Sequence, residues 1–311
     1  MRTVRLAALT AAVATAFTLS MSTSSAAGTH HFGAKPITRG AVGAVHTAPA
    51  TPAANADTLS LQTNHKTGAV SPTPKVYLVF WGSQWSKDPA KVAPDMQALF
   101  KGLYGTSDTW GTILSQYCEN AAAGTTKCPS TATFVQHPTS SALAGVWFDN
   151  ASAAPSSATQ AQLAAEATKA AGHFGNKTQA PNLNAQYVVL SATGTHPDGF
   201  PNSGFCAWHD FTSSSYGNIA YTNLPYVPDL GAGACTTLTD GRMLSGIEST
   251  ETHEYAETVT DFWPTDGWYN ATNGEIGDEC VNQDAYLTLP TGKFDVQGLW
   301  SNKANACVTH G

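Results

Sequence analysis

Three side chains between residues 253 and 257 carry the most informative chemistry of this chain. His253 and Glu257 are four residues apart, so on a helix they project from one face and can hold one metal ion together. Glu254 follows the first of these ligands, where a general base would accept a proton from a metal-activated water. The spacing therefore predicts a helix that carries two metal ligands and a catalytic base.

A site of this kind needs a third protein ligand, because a catalytic zinc usually has three and keeps one position for water. The downstream loop offers three acids, Glu275, Asp278 and Glu279. We predict Asp278 as the ligand, because Gly277 lets the backbone approach closely and Cys280 can fix the loop through a disulfide. Glu275 is then a candidate for a supporting or substrate-contacting role.

Further side chains are candidates for roles around the ion. Asp261 lies one helical turn beyond the second ligand and is predicted to support the His253 ring. Tyr255, Tyr269 and His209 are candidates to stabilise an oxyanion, and His209 could also contact substrate, act as an extra ligand or be purely structural. Zinc is the predicted ion because imidazole is an uncommon calcium ligand, whereas the many carboxylates leave calcium as the alternative.

The elements that must position these groups are those of an α/β domain. The run 76–81 is nearly all apolar, which is typical of a buried central strand, whereas the run 218–222 is more polar and is predicted at an edge of the sheet. The alternation of strands and helices predicts a zincin-like mixed sheet packed against the helix that carries His253. The predicted strands are 76–81, 146–148, 186–191 and 218–222, and the predicted helices are 89–104, 157–174 and 240 to just before Pro264, the last with an apolar stripe of Met243, Leu244, Ile247, Tyr255, Ala256 and Val259.

The N-terminal sequence has the features of an export signal. Two arginines precede an Ala-, Leu- and Val-rich run that ends at a small-residue cleavage site. The segment that follows is low in bulky apolar residues and rich in Ala, Thr and Pro. We therefore predict a signal peptide over residues 1–27, a flexible tail or pro-segment over 28–72, and a single globular domain over 73–311 of a protein secreted to the extracellular space.

Charge and cysteine content narrow the class of protein. With 15 basic and 22 acidic residues and a formal net charge of −7, the chain is a poor candidate for binding nucleic acid or an anionic membrane. Its six cysteines favour disulfides in an exported protein, although sequence alone allows about 15 pairings. The simplest pattern pairs neighbours along the chain: Cys118 with Cys128, Cys206 with Cys235, and Cys280 with Cys307.

Three short motifs resemble one known family. They are residues 253–257 (His-Glu-Tyr-Ala-Glu), residues 268–269 (Trp-Tyr) and residues 275–280 (Glu-Ile-Gly-Asp-Glu-Cys). Their order is similar to the C-terminal signature of the plant EXORDIUM or phosphate-induced protein 1 family and of secreted actinobacterial proteins that share it. The resemblance covers roughly residues 205–285 and implies an extracellular location. It implies no settled reaction.

The residues thus predict a secreted metal-dependent hydrolase, a zinc endopeptidase that acts on an extracellular peptide or protein. The main alternative is a non-catalytic extracellular or wall-associated protein, in which the same cluster binds a structural metal or ties the helix to the loop. A polysaccharide-binding surface built from some of the eight tryptophans is a further possibility. A serine nucleophile is disfavoured, because the chain has no Gly-x-Ser-x-Gly motif.

Overall fold

A computed structural model describes residues 58–64, 66–270 and 274–311, so the predicted signal peptide and residues 28–57 lie outside the described residues. The helices are α1 (Val92–Gly102), α2 (Gln160–His173), α3 (Gln179–Asn182) and α4 (Ser245–Thr260). The strands are β1 (Ser60–Leu61), β2 (Lys75–Trp81), β3 (Cys118–Glu119), β4 (Thr133–Phe134), β5 (Leu143–Asp149), β6 (Ala185–Ser191), β7 (Trp208–Ser214), β8 (Gly217–Leu224), β9 (Trp268–Tyr269), β10 (Asp284–Leu289), β11 (Gly292–Gln297), β12 (Leu299–Ser301) and β13 (Ala306–Val308). Within these ranges no helix is both long and apolar enough to cross a bilayer.

A five-stranded mixed sheet with the order β5-β2-β6-β8-β7 lies at the centre of the domain. Strands β5, β2, β6 and β8 run parallel to one another, and β7 is antiparallel to β8. The predicted α/β class with a mixed sheet is therefore confirmed. The prediction that residues 218–222 form an edge strand is wrong, because β8 is interior and β7 pairs along its outer side.

Helices cover both faces of this sheet, and the alternation of side chains along each strand sorts the core into two layers. Val79 of β2 packs with Leu163 and Ala167 of α2 on one face. Leu78 and Phe80 of the same strand join the cluster that includes α1 and α4 on the other face. Each such fully buried side chain contributes roughly 1.5–3 kcal/mol, so the sheet is a rigid base for both layers.

Helix α4 is buried along all sixteen of its residues, although most of them are polar. It is covered by β7 and β8 of the sheet on one side and by β11 on the other, which leaves it no solvent-facing side. The predicted start at Asp240 and the predicted stripe beginning at Met243 are therefore wrong. The helix begins at Ser245, and Met243 precedes it with 42% of its surface exposed.

Residues 58–72, predicted as part of a flexible tail, belong instead to the packed domain wherever the structure describes them. Strand β1 pairs with β9, and Leu59 and Val70 are fully buried. The Ser71 amide donates to the carbonyl of Val259 in α4, 2.8 Å away. The predicted domain boundary at residue 73 is therefore too late. The average composition of the segment hides the few apolar side chains, such as Leu59 and Val70, that attach it to the domain.

Three disulfides form, with the pairings that the sequence predicted. Cys280–Cys307 joins the loop after β9 to β13, and Cys206–Cys235 joins the segments before β7 and before α4. Such bonds persist in oxidising compartments, which fits an extracellular protein. Both bridges tie down segments that lead directly into the candidate site.

Several acidic side chains lie close together near the N-terminal end of α4, and one arginine pairs with one of them. Arg242 donates to both oxygens of Glu248, over 3.0 and 2.6 Å. Burial, together with the nearby Asp284 and Glu248, raises the pKa of Asp295 to about 8, although Thr236 donates a hydrogen bond to it. Asp295 therefore keeps its proton in the folded protein at a pH where it has lost it in the unfolded chain.

This raised pKa predicts a loss of stability with rising pH. The stabilising contribution of protonated Asp295 is complete below about pH 4 and is lost as the pH rises through about 8. The variant Asp295→Asn keeps a hydrogen-bond acceptor for Thr236 but has no carboxyl group to titrate. It therefore removes a pH-dependent part of the free energy of unfolding that amounts to roughly 1.4 kcal/mol for each unit by which folding raises the pKa of Asp295. Between pH 5 and pH 8, the free energy of unfolding measured with urea should fall by less in the variant than in the parent protein. An identical decline in both proteins would contradict this assignment.

Candidate metal centre

Helix α4 brings His253 and Glu257 together on one face, as their spacing predicts. The Nε2 atom of His253 lies 3.1 Å from Oε1 of Glu257, and both side chains are at most 1% exposed. Asp278, at the start of a short 3-10 turn after β9, completes a group whose possible ligand atoms all lie within 4.8 Å of one another. The structure thus gathers the three predicted ligands, and Asp278 is the one that is partly exposed.

The ring of His253 is fixed by Gln297 at the end of β11. The side-chain NH2 of Gln297 donates to the carbonyl of Gly277 over 2.8 Å, which orients its Oε1 toward His253 Nδ1 at 3.1 Å. Nδ1 therefore carries the proton and donates it to Gln297. Nε2 is left facing Glu257, where a metal ion could replace its proton, which is the arrangement of a metal-binding histidine and its supporting partner.

The loop approaches α4 so closely that only glycine fits at position 277. A Cβ atom there would lie 2.6 Å from His253 Nδ1 and 2.9 Å from Glu257 Oε1. The next amide, of Asp278, donates to the same Glu257 oxygen over 3.0 Å. The close backbone approach predicted from Gly277 is therefore confirmed.

A second histidine enters the centre from the sheet. Trp208 of β7 packs with the α2 layer, so His209 projects toward α4. Its Nδ1 lies 3.1 Å from Glu254 Oε2, and its Nε2 lies 3.4 Å from Glu275 Oε1. His209, Glu257 and Glu275 form a second, wholly buried group that can hold a metal ion, again with ligand atoms within 4.8 Å.

The role predicted for Glu254 changes in this geometry. Its carboxylate accepts a hydrogen bond from His209 Nδ1, and the residue is fully buried. It therefore faces the second histidine, where it can orient that ring. The general-base role predicted for Glu254 therefore rests on the sequence spacing alone, because this contact supports a role in orienting His209.

Two supporting roles predicted from sequence do not fit the structure. The carboxylate of Asp261 accepts hydrogen bonds from the backbone amides of Thr265, Asp266 and Gly267, so it shapes the turn after α4 and leaves the His253 ring to Gln297. The Tyr255 hydroxyl donates to Tyr104, 2.6 Å away on the apolar side of the helix, and cannot reach an oxyanion at the metal groups. Both predictions were wrong because they inferred contacts at the metal from closeness to His253 in the sequence.

Two residues of the centre, Gln297 and Glu251, were not predicted from the sequence. Gln297 carries no sequence signal, because only the pairing of distant segments brings β11 to α4. Glu251 had a weak signal, since glutamates recur at every third residue, at positions 248, 251, 254 and 257. In the described structure both Glu251 oxygens lack a hydrogen-bond partner, and burial and the charge of Glu254 raise its pKa well above the usual range.

The electrostatics of the centre fit a cation. Burial and the charge of Glu257 raise the pKa of Glu275 far above its usual range. Burial lowers the pKa of His253, but the neighbouring carboxylates outweigh this effect and raise it to about 10. Burial opposes ionisation of Glu257, yet His253 and His209 hold its pKa below the usual value. Acids and imidazoles buried in this way are what a divalent cation would stabilise.

Comparisons with models of known families, with curated proteins and with solved structures give no match for this chain. The candidate site therefore rests on its own geometry.

The steric constraint at position 277 gives a direct test of the first ligand group. Gly277→Ala should push the loop away from His253 and Glu257 and weaken zinc binding about 10- to 100-fold, the usual cost of disturbing the support of a ligand. Competition with a chromophoric zinc chelator measures this affinity. Gly105→Ala is the matched control, because its Cβ would come no closer than 3.2 Å to another atom. Unchanged affinity in Gly277→Ala would contradict the placement of the site.

Proposed function

We propose that this protein is an exported metal-dependent hydrolase whose ion is held by His253, Glu257 and Asp278. The observation that carries the proposal is the His253 ring, whose Nδ1 is held by Gln297 and whose Nε2 faces a buried carboxylate. Export is supported by the three disulfides and by the signal-like N-terminal sequence. Zinc is the favoured ion, because each ligand group contains an imidazole; calcium is the alternative.

A divalent cation at this position would polarise a substrate carbonyl and lower the pKa of a water molecule, which makes a hydrolytic nucleophile available at neutral pH. Tyr269 and Asp278 are both partly exposed, so substrate would approach on their side. Burial and the charges of Glu275, Asp278 and Asp261 raise the pKa of Tyr269, so its hydroxyl stays protonated. We assign it to donate a hydrogen bond to the oxyanion.

A peptide is the substrate class that the surrounding fold favours. Strand β7, which carries His209, pairs with β8 on one side and ends the five-stranded sheet. An extended peptide could pair with the outer side of β7 through its backbone and so lie beside the metal groups. This arrangement of an edge strand and a ligand-bearing helix is what we mean by zincin-like. We also propose membership of the EXORDIUM or phosphate-induced protein 1 family on the three motifs alone.

Glu254 acts as a positioning residue in this scheme, because its carboxylate holds His209, whose ring lies 3.5 Å from the ligand Glu257. A glutamine at this position could still accept the Nδ1–H hydrogen bond through its amide oxygen, whereas alanine could not. The two substitutions therefore separate positioning from proton transfer.

The second candidate function is a structural metal centre in a non-catalytic extracellular protein. It is favoured by the burial of His209, His253, Glu254 and Glu275, each of which is 0% exposed. A polysaccharide surface receives less support, because five of the eight tryptophans are buried; Trp81, Trp147 and Trp263 are the partly exposed ones.

Hydrolysis of a fluorescent casein by the zinc-loaded protein tests the proposal. We expect activity that chelation abolishes and zinc restores, and we expect His253→Ala to lose the activity together with the ion held by His253, Glu257 and Asp278. Exposed His196→Ala is the control and should retain both. A protein that binds zinc tightly yet leaves casein and generic peptide libraries intact would overturn the enzyme and favour the structural centre.

The Glu254 substitutions refine the mechanism. Glu254→Gln should keep activity within about tenfold of the parent, and Glu254→Ala should lose about 10- to 100-fold in metal affinity or activity. A loss of about 10²–10⁴ in Glu254→Gln with its metal retained would instead identify Glu254 as the general base.

A further inference from the structure

The two possible ligand groups of the centre have one member in common, the carboxylate of Glu257. Each group contains a single histidine, His253 in one and His209 in the other. The two oxygens of Glu257 are divided between them. Its Oε1 lies 3.1 Å from His253 Nε2, and its Oε2 lies 3.5 Å from the His209 ring at Nδ1.

We propose that the centre binds two divalent cations bridged by Glu257. The outer ion is the one invoked in the proposed function, on which this inference rests, and is held by His253, Glu257 and Asp278. The inner ion is held by His209, Glu257 and Glu275. In each group the possible ligand atoms all lie within 4.8 Å of one another, so an ion among them needs only a modest inward movement of the side chains to reach metal–ligand distances of about 2.0–2.2 Å.

Each histidine has its own supporting partner, which is expected if each serves its own ion. Nδ1 of His253 is held by Gln297 from β11, and Nδ1 of His209 is held by Glu254 from α4. This leaves Nε2 as the ligand atom of both rings, and each Nε2 faces a carboxylate oxygen, Glu257 Oε1 at 3.1 Å from His253 and Glu275 Oε1 at 3.4 Å from His209. Two independent supports would be redundant if only one imidazole bound metal.

Charge also favours a second ion. Glu254, Glu257, Glu275 and Asp278 surround the centre, and the two imidazoles can supply at most two positive charges. Glu275 is fully buried; its Oε1 lies 3.4 Å from His209 Nε2, and its Oε2 has no hydrogen-bond partner within the described part of the chain. Burying an ionised carboxylate without full compensation is unfavourable in free energy, and a cation bound by Glu275 and His209 would offset that penalty.

Metal content per chain tests the proposal directly. Elemental analysis of the zinc- or manganese-loaded protein, after dialysis against metal-free buffer, should give two ions per chain. His209→Gln and His253→Gln should each retain one ion, and Glu257→Ala should retain none or bind weakly. Exposed His196→Gln is the matched control and should retain two. Circular dichroism of every variant establishes that it is folded.

The outcomes separate this inference from the proposed function. One ion per chain, lost in His253→Gln but retained in His209→Gln, overturns the two-ion centre and leaves the hydrolase proposal standing. One ion lost equally in both variants shows a single ion shared by both histidines, which also overturns it. No bound ion overturns both.

Electron paramagnetic resonance of the unsubstituted, manganese-loaded protein is an independent check that needs no variant. Two Mn²⁺ ions bridged by a carboxylate are exchange-coupled, so the hyperfine pattern of isolated Mn²⁺ should be replaced by a broadened, coupled signal at full loading. A spectrum of isolated ions alone would contradict bridging by Glu257.

Discussion

The burial of the Glu257 carboxylate is the constraint on which the rest of this structure depends. Glu257 belongs to a helix that has no exposed side, so its charge must be met by protein groups or by an ion. At the other end of the same helix, Glu248 is met by Arg242 through two hydrogen bonds. At Glu257 the partners are His253 and His209, and these two imidazoles, once each gives up a proton to a binding ion, form a set of metal ligands with the buried carboxylates.

Each layer of the fold contributes one part of this centre. The sheet supplies His209 from β7, the hairpin β10–β11 supplies Gln297, and the loop pinned by Cys280–Cys307 brings Gly277 against α4. Because these parts come from segments far apart in the chain, the centre exists only in the folded domain. Cation binding and folding are therefore expected to stabilise each other.

The local parts of this account could be predicted from sequence, and the long-range parts could not. The i, i+4 spacing of His253 and Glu257 and the glycine before Asp278 are properties of one helix and one loop, so spacing was enough. His209 and Gln297 reach the centre through sheet order and hairpin packing, which no local pattern encodes. The predicted tail boundary is wrong for a similar reason, since Leu59 and Val70 are buried in a segment that joins the domain through the pairing of β1 with β9 and the hydrogen bond from Ser71 to α4.

Anomalous diffraction from crystals of the zinc-loaded protein, recorded on both sides of the zinc absorption edge, would show directly whether ions bind at Glu257. We expect anomalous density beside the Glu257 carboxylate, with one peak next to Nε2 of His253 and a second next to Nε2 of His209. A map with no peak within bonding distance of Glu257, from crystals whose zinc content has been verified, would contradict it.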